Sequence, residues 1–242
     1  MSSKQGLSII LPVYNEEKDI NNVVASIIKN IPGHIPGFEI ILVNDGSTDK
    51  TKDILRSLSA RYAALRIANN AVNQGYGAAI KKGIAKAEKE WLLIMDGDGQ
   101  FRIDDLEVFW NEKSNYDFII GFRKKRRDNL YRTLLGAGGN LLANLRLGTN
   151  IFIKDINCGF KLFKTQDLKT IRLLSTGGLI SFEILYKLLK RKRMFIQLPV
   201  AHYKRKTGKS TGGRLITIIK IIGEFFRSLN EASREKAGIA IN

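Results

Sequence analysis

Residues 91–100 read Trp91-Leu92-Leu93-Ile94-Met95-Asp96-Gly97-Asp98-Gly99-Gln100. A short apolar run that stops at a cluster of acidic residues and glycines is typical of a buried strand followed by a tight loop. The same order occurs twice earlier, where the apolar run 7–13 precedes Tyr14-Asn15-Glu16 and the apolar run 38–43 precedes the polar cluster 44–49. This repeated order of buried strand and polar cluster decides the fold class.

Three helices are predicted between and after these runs. Helical spacing of apolar residues marks the segments 16–30 and 75–88, and a further helix follows the cluster 44–49 and extends to about residue 61. Weaker strand signals lie at 65–68 and 118–121. Strands that alternate with helices in this way predict an α/β fold with a mostly parallel central sheet flanked by helices. Because ligands bind at the carboxyl ends of the strands in such sheets, we expect the polar clusters to form a site at one edge.

The second half of the chain is basic and rich in glycine, and it begins with Arg123-Lys124-Lys125-Arg126-Arg127. Helices are predicted over 129–146 and 178–189, and a late strand over 194–200. No linker separates the two halves, so we expect them to share one sheet.

A basic, amphipathic helix is predicted at the start of the segment 214–242. Its apolar positions run from Leu215 to Leu229, but Lys220, Glu224 and Arg227 interrupt them. Such a helix is unable to span a bilayer, which leaves three roles open: a core helix, a docking helix for a membrane subunit, and an interfacial helix.

The charge of the chain predicts an anionic partner. The 242 residues include 40 Lys and Arg against 23 Asp and Glu, a formal net charge of +17. Nucleic acid, an acidic membrane surface and a phosphorylated substrate all fit this surplus. The single cysteine, Cys158, excludes an internal disulfide and a cysteine-rich zinc site. The short polar start and the absence of a long apolar run lead us to expect a cytoplasmic or peripheral membrane protein.

The strongest candidate site is the Asp96-Gly97-Asp98-Gly99-Gln100 loop. Two carboxylates separated by one small residue can present oxygen ligands to Mg²⁺ or Mn²⁺, and glycines let the backbone approach a ligand closely. A plain tight turn is the simpler interpretation of this loop alone. The Asn44-Asp45 cluster has a similar ambiguity: it suits a turn and helix cap, but beside the first loop Asp45 could accept hydrogen bonds from a nucleobase or a ribose.

Two glycine motifs fail the tests for nucleotide-binding fingerprints. Gly75-Tyr76-Gly77 lacks the third glycine of a dinucleotide site, because position 80 is Ile80, and Gly208-Lys209-Ser210 lacks the first glycine of a P-loop, because position 203 is Tyr203. The basic clusters 123–127 and 204–209 could instead fold over a bound diphosphate. Nucleic acid is not the expected partner, since no aromatic-rich RNA-binding signature is present.

Four motifs in this order resemble the family 2 glycosyltransferases, over about residues 7–213. They are Ile10-Leu11-Pro12-Val13-Tyr14-Asn15-Glu16-Glu17, Val43-Asn44-Asp45-Gly46-Ser47-Thr48-Asp49, Asn73-Gln74-Gly75-Tyr76-Gly77-Ala78-Ala79 and Asp96-Gly97-Asp98-Gly99-Gln100. The stretches 155–163 and 203–210 are similar to the dolichyl-phosphate mannosyltransferase and polyprenyl-phosphate glycosyltransferase branch. Two positions depart from the family pattern: Asn44 replaces the first of two aspartates, and Thr211 occupies the place of a frequent lysine, for which Lys209 is the nearby substitute.

The resemblance implies a GT-A fold in a single domain over residues 1–213, with a nucleotide-sugar-binding half at 7–121 and an acceptor half at 122–213. It also implies a divalent cofactor, Mg²⁺ or Mn²⁺, held by Asp96, Asp98 and Gln100. Catalytic roles are implied for Asp98, Arg123 and Asp155. The residues implied to bind the donor are Pro12, Tyr14, Glu16, Val43, Asp45, Asp96, Gly97, Asp98, Arg123, Arg205 and Lys209.

We therefore expect an inverting, metal-dependent enzyme that moves mannose or glucose from a GDP- or UDP-sugar to polyprenyl or dolichyl phosphate. An ionised lipid phosphate needs no general base, although Asp155 or Glu183 could assist. The expected setting is an anionic membrane surface on the cytosolic face, with or without a membrane-anchoring subunit. Two alternatives stay open: a family 2 enzyme for a polysaccharide, protein or other lipid acceptor, and a non-catalytic subunit that binds anions or nucleic acid.

Overall fold

The computed structural model describes residues 5–124, 130–147 and 152–205. The strands are β1 Leu7–Val13, β2 Phe38–Asp45, β3 Leu65–Asn70, β4 Trp91–Met95, β5 Phe118–Arg123, β6 Phe160–Lys164 and β7 Phe195–Val200. The helices are α1 Ile20–Asn30, α2 Thr51–Arg61, α3 Tyr76–Lys86, α4 Leu106–Glu112, α5 Leu130–Leu147, α6 Thr165–Lys169 and α7 Ile180–Lys190.

The strands form one sheet in the order β3-β2-β1-β4-β6-β5-β7. Only β6 runs against its neighbours among the described strands, since it pairs antiparallel with both β4 and β5. The predicted α/β fold with a mostly parallel sheet is therefore confirmed, and both halves of the chain share the sheet.

The register of the strands places the polar clusters at one edge. Val13 lies opposite Asn44 across the β1–β2 pair, so the two loops that follow these strands start side by side. In the antiparallel β4–β6 pair, Met95 lies opposite Phe160. The start of β6 consequently meets the end of β4, and the residues just before Phe160 reach the same edge as Asp96.

The hydrophobic core occupies both faces of the sheet, as the alternation of side chains along β1 requires. Leu7, Ile9 and Leu11 are fully buried on one face, where they pack in the same cluster as residues of α1, α2 and α4. Ile10 is buried on the other face with residues of α3 and α7. Burial of each such side chain contributes roughly 1.5–3 kcal/mol, so the sheet forms a firm base for its loops.

Most predicted elements are confirmed, with shifted boundaries. The strands 7–13 and 91–95 have the predicted bounds, and β2, β3 and β5 extend two residues further than predicted, to Asp45, Asn70 and Arg123. The helix predicted from residue 16 begins later, at Ile20. Asn15 has a left-handed φ of 56°, and the backbone N–H of Glu16 donates to the Thr51 hydroxyl. The helix therefore begins only after these residues.

Strand β6 and helices α4 and α6 were not predicted. The β6 sequence is Phe160-Lys161-Leu162-Phe163-Lys164, and the strand is largely buried. Its two lysines interrupt the apolar run that would predict a buried strand. Lys161 itself is only 3% exposed, and its amine donates to the carbonyl oxygen of Cys158.

Among the described residues, no helix has the length and apolar character needed to cross a membrane. The predicted helix within 214–242 lies outside the described residues, as do most of the basic clusters 123–127 and 204–209.

Candidate active site

Reciprocal hydrogen bonds join the loops that follow β1 and β2. The Asn15 backbone N–H donates to the Ser47 hydroxyl at 3.0 Å, and the Asn15 side-chain oxygen accepts from the Thr48 N–H at 2.8 Å. The predicted helix cap is present in part: Asp49 accepts from the N–H of Thr51, the first residue of α2, at 3.0 Å. These contacts fix the two loops relative to each other at the edge of the sheet.

Asp45 ends β2 and organises the loop before α3. Its buried carboxylate accepts from the Asn70 side-chain amide at 2.7 Å, the Gln74 N–H at 3.0 Å and the Gly75 N–H at 2.8 Å. Gly75 has a φ of +101°, which favours glycine. The carboxylate predicted to contact the nucleoside thus also holds the loop that leads into α3.

Asp96 and Asp98 follow β4 and lie near each other in a partly buried position. The Asp96 carboxylate accepts from the Tyr76 hydroxyl at 2.9 Å, and the Asp96 N–H donates to the Gly159 carbonyl oxygen at 3.1 Å. Gly159 must be a glycine here, since a Cβ would lie 1.9 Å from an Asp96 carboxylate oxygen. Burial and the nearby Asp98 charge raise the pKa of Asp96, and burial raises the pKa of Asp98.

Arg205 connects the loop after β1 to the loop after β4. Its guanidinium forms an ion pair with the Glu16 carboxylate and a longer contact of 3.4 Å with Asp98. Burial raises the pKa of Glu16 to about 7, although the charge of Arg205 acts in the opposite direction. Gln100 fixes the chain near Arg205, because its carbonyl oxygen accepts from the Tyr203 N–H at 2.9 Å and its side-chain amide donates to the Tyr203 carbonyl oxygen at 3.1 Å.

Arg123 and Asp155 form a buried, bidentate ion pair. The Arg123 Nε lies 2.6 Å from Asp155 Oδ2, and a terminal guanidinium nitrogen lies 2.9 Å from Oδ1. Asp155 also begins the turn to Cys158, since its carbonyl oxygen accepts the Cys158 N–H at 3.2 Å. The pair therefore joins the end of β5 to the turn that leads into β6 beside Asp96.

These residues suit a hard divalent cation. Burial, and for Asp96 also the charge of Asp98, raises the pKa values of two neighbouring carboxylates, although Arg205 and Lys161 lie nearby. A cation with oxygen ligands would supply further positive charge. In the described part of the chain, no three His, Cys, Asp or Glu side chains are arranged to hold a metal by themselves. Magnesium typically uses one or two carboxylates with water and phosphate oxygens, so Asp96 and Asp98 with Gln100 and a diphosphate would complete such a site.

The structure brings most of the predicted site residues to one edge of the sheet. The group comprises Pro12, Tyr14, Glu16, Val43, Asp45, Asp96, Gly97, Asp98, Gln100, Arg123, Asp155 and Arg205. Gly97 packs tightly here, since a Cβ on it would lie 3.0 Å from the Pro12 carbonyl oxygen. Lys209 lies outside the described residues.

Sequence reasoning missed Tyr76 and Lys161. Tyr76 lies in the glycine motif that failed as a dinucleotide fingerprint, and the motif gave no indication that its hydroxyl would meet Asp96. Lys161 has its pKa lowered by burial, and its charge faces Asp96, Asp155 and Cys158. Glu183, considered above as an assisting base, instead accepts from the backbone N–H groups of Leu174 and Ser175 at 2.9 and 2.8 Å.

The protein-family model "Glycosyl transferase family 2" matches residues 8–189 of the chain. The chain belongs to this family. A dolichyl-phosphate beta-glucosyltransferase of Trichomonas vaginalis is 34% identical over 179 residues, which cover 68% of this chain and 55% of that protein. A dodecaprenyl-phosphate galacturonate synthase of Rhizobium johnstonii is 31% identical, with coverage of 69% and 50%. The chain thus spans about half the length of these relatives.

Solved structures of the same fold include glucosyl-3-phosphoglycerate synthase from Mycobacterium tuberculosis in complex with Mn²⁺, UDP and phosphoglyceric acid. The match has a TM-score of 0.65 at 20% identity and covers 98% of this chain and 80% of that one. This likeness confirms the GT-A type of α/β fold that the family 2 motifs implied.

Proposed function

We propose that this family 2 domain is an inverting, metal-dependent glycosyltransferase. It moves a hexose, glucose or mannose, from a UDP- or GDP-sugar to a polyprenyl or dolichyl phosphate at the cytosolic face of a membrane. The observation that carries the proposal is the meeting of Asp96 and Asp98 with Glu16 and Arg205 at the carboxyl edge of the sheet. The names of the two relatives support a polyprenyl-type phosphate acceptor, and the complex with Mn²⁺ and UDP supports a nucleotide donor.

In the proposed reaction, an oxygen of the lipid phosphate attacks the anomeric carbon, and the bond from that carbon to the diphosphate breaks. A bound Mg²⁺ or Mn²⁺ would supply Lewis-acid stabilisation of the departing diphosphate. Asp96 and Asp98 hold the negative charge that attracts the cation, and Arg205 can exchange its carboxylate partners for phosphate oxygens. Arg123, fixed by Asp155, presents a second guanidinium near the end of β5.

The engagement of the two carboxylates considered as assisting bases, Asp155 and Glu183, agrees with a phosphate acceptor. Asp155 is paired with Arg123, and the Glu183 carboxylate is engaged by two backbone N–H groups and by Lys187. A lipid monophosphate is ionised near neutral pH, so its oxygen attacks without losing a proton to the protein. A hydroxyl acceptor on a polysaccharide or protein would need one of these carboxylates released from its partners.

Exposed apolar residues on and after α5 support a membrane setting. Leu141, Leu142 and Leu145 are 53%, 64% and 72% exposed, and Phe152 is 55% exposed. Such side chains on a helix that also carries basic residues suit contact with the interfacial region of an anionic membrane, which the net charge of +17 reinforces.

The test begins with donor binding. We expect calorimetry to show that UDP or GDP binds the wild-type chain only when Mn²⁺ is present, and that Asp98→Ala loses this binding. The matched control is Asp53→Ala, because Asp53 lies on α2 with its side chain 79% exposed. Absence of metal-dependent binding for both nucleotides would contradict the proposal and favour a non-catalytic subunit.

The acceptor is tested with vesicles that contain dolichyl phosphate, polyprenyl phosphate or unphosphorylated dolichol, together with a radiolabelled UDP- or GDP-hexose. Transfer to the phosphorylated lipids alone is expected. Transfer to a polysaccharide or protein hydroxyl, with loss of activity in Asp155→Asn, would instead support the alternative acceptor class. Strong, salt-sensitive binding of nucleic acid with no sugar transfer would support the non-catalytic alternative.

A further inference from the structure

Tyr76, the first residue of α3, touches the proposed donor site through its hydroxyl group. The hydroxyl donates to Asp96 Oδ1 at 2.9 Å. A phenol donates and an ionised carboxylate accepts, so the hydrogen atom of this contact belongs to Tyr76. The contact joins residues that are 20 positions apart, on two different elements of the fold.

The position of Tyr76 is fixed by the turn 175–177, which packs against the start of α3. The Ala78 N–H donates to the Thr176 carbonyl oxygen at 3.1 Å. A Cβ on Gly75 would lie 2.6 Å from that same oxygen, and a Cβ on Gly77 would lie 2.8 Å from the Gly177 carbonyl oxygen. The two glycines therefore allow a backbone-to-backbone contact that sets the direction in which Tyr76 leaves the helix.

Glu183 holds this turn in place from α7. Its carboxylate accepts from the N–H groups of Leu174 and Ser175, and Lys187 pairs with it at 2.8 Å. A continuous set of contacts thus runs from α7 through the turn and the first residues of α3 to Asp96.

The other side of the Asp96 carboxylate is closed by backbone. A Cβ on Gly159 would lie 1.9 Å from Oδ2, so that oxygen abuts the chain just before β6. With Gly159 against one oxygen and the Tyr76 hydroxyl on the other, the rotation of the carboxylate is restricted on both sides.

We propose that Tyr76 is a positioning residue, which orients the Asp96 carboxylate for the metal and the nucleotide diphosphate. The inference rests on the proposed function, since it assigns a role within the same site. Carboxylates that ligate metals are themselves commonly hydrogen-bonded, and removal of such a partner typically costs 10–100-fold in metal affinity or activity. A purely structural role would make Tyr76 matter for the packing of α3 and leave the affinity of the site unchanged.

The test compares Tyr76→Phe with the wild-type chain and with Tyr186→Phe. Tyr186 is a partly buried tyrosine on α7 that stacks on Phe182, so its replacement makes the same chemical change away from Asp96. Free Mn²⁺ is measured by electron paramagnetic resonance with UDP at saturation, and with GDP in a parallel series. We expect the dissociation constant of Mn²⁺ to rise about tenfold in Tyr76→Phe and to stay unchanged in Tyr186→Phe.

A spectroscopic measurement separates positioning from packing. Addition of Mn²⁺ with the nucleotide should produce a tyrosine difference band in the near ultraviolet, which Tyr76→Phe lacks and Tyr186→Phe retains. If Tyr76→Phe does not fold, the wild-type chain itself supplies the second measurement: a tyrosine band that does not appear when Mn²⁺ and the nucleotide are added overturns the positioning role.

The outcomes distinguish the two proposals. A wild-type chain that binds Mn²⁺ with the nucleotide, together with a Tyr76→Phe chain of equal affinity and an unchanged difference band, overturns the positioning role alone. A wild-type chain that binds neither nucleotide with Mn²⁺ overturns the proposed function and this inference with it.

Discussion

The loop after β2 and the loop after β4 both place a carboxylate at the same edge of the sheet, but the two carboxylates have different surroundings. Asp45 accepts from one side-chain amide and two backbone N–H groups. Asp96 accepts from the Tyr76 hydroxyl, and Asp98 accepts from the Gln100 N–H and contacts Arg205. Burial raises the pKa of both residues of the second loop.

Aspartates at equivalent strand ends can therefore have different roles. In the loop after β2 the aspartate stabilises the fold, and in the loop after β4 the aspartates are suited to bind a ligand. A carboxylate surrounded by donors has its charge already compensated, and its removal leaves those donors unsatisfied. A pair of buried carboxylates with few donors is costly for the folded chain until a cation arrives. Stability and ligand binding should therefore respond in opposite ways to substitutions in the two loops.

The largest effect on stability is expected for Asp45→Ala. The substitution leaves the buried Asn70 amide and the partly buried N–H groups of Gln74 and Gly75 without their acceptor, and an unsatisfied donor costs about 1–3 kcal/mol when it is fully buried and less when water reaches it. We expect the free energy of unfolding to fall by about 3 kcal/mol in urea titrations. The control, Asp53→Ala, should change it by less than about 0.5 kcal/mol. A small loss in Asp45→Ala would show that the hydrogen bonds of this loop are not what holds it.

The next prediction concerns the loop after β4. Its effect is expected in the affinity for the nucleotide rather than in the free energy of unfolding. In Gly159→Ala the new Cβ would lie 1.9 Å from Asp96 Oδ2, which forces the carboxylate out of the position that it holds beside the Tyr76 hydroxyl. We expect a loss of about tenfold in Mn²⁺-dependent nucleotide affinity, measured by calorimetry.

Gly33→Ala is the matched control for this prediction, because nothing lies within 4 Å of a Cβ at that position. It should bind as the wild-type chain does. Unchanged binding in Gly159→Ala as well would indicate that the orientation of Asp96 has no influence on the donor.

Sequence reasoning reached the fold and the position of the site, because both depend on local patterns. The apolar runs that end in Val13 and Met95 predicted strands, and the rule for parallel sheets placed their loops together. What it missed depends on contacts between distant residues. Glu16 and Arg205 are separated by 189 positions, and the Tyr76 contact with Asp96 requires the packing of α3 against the turn 175–177. Strand β6 escaped prediction because a buried lysine occupies its second position.

Glu183 extends the comparison as a second carboxylate surrounded by donors. Burial alone would raise its pKa, but the hydrogen bonds from Lys187, Ser175 and Leu174 outweigh burial and lower the pKa below 4.5. A lowered pKa means that the ionised group stabilises the fold above its unfolded pKa and that this contribution is lost as the pH falls through the folded pKa.

We therefore expect Glu183→Gln to cost about 1.5 kcal/mol at neutral pH, in the range for hydrogen bonds to charged groups. Thermal unfolding is measured from pH 7 downward. The gap in the free energy of unfolding between the variant and the wild-type chain should close below roughly pH 4.5. A gap that stays constant over this range would mean that the charge of Glu183 contributes nothing.

The smallest effect on stability is expected for Asp98→Asn, and its sign is the sharpest test of the comparison. Asparagine keeps an oxygen that can accept from the Gln100 N–H, while the substitution removes one of two nearby buried charges. The melting temperature of the ligand-free chain should stay the same or rise by a few degrees. Mn²⁺-dependent nucleotide binding should nevertheless be lost, because the cation loses a carboxylate ligand. A variant that unfolds as readily as Asp45→Ala would place Asp98 among the groups that hold the fold, and the distinction between the two loops would disappear.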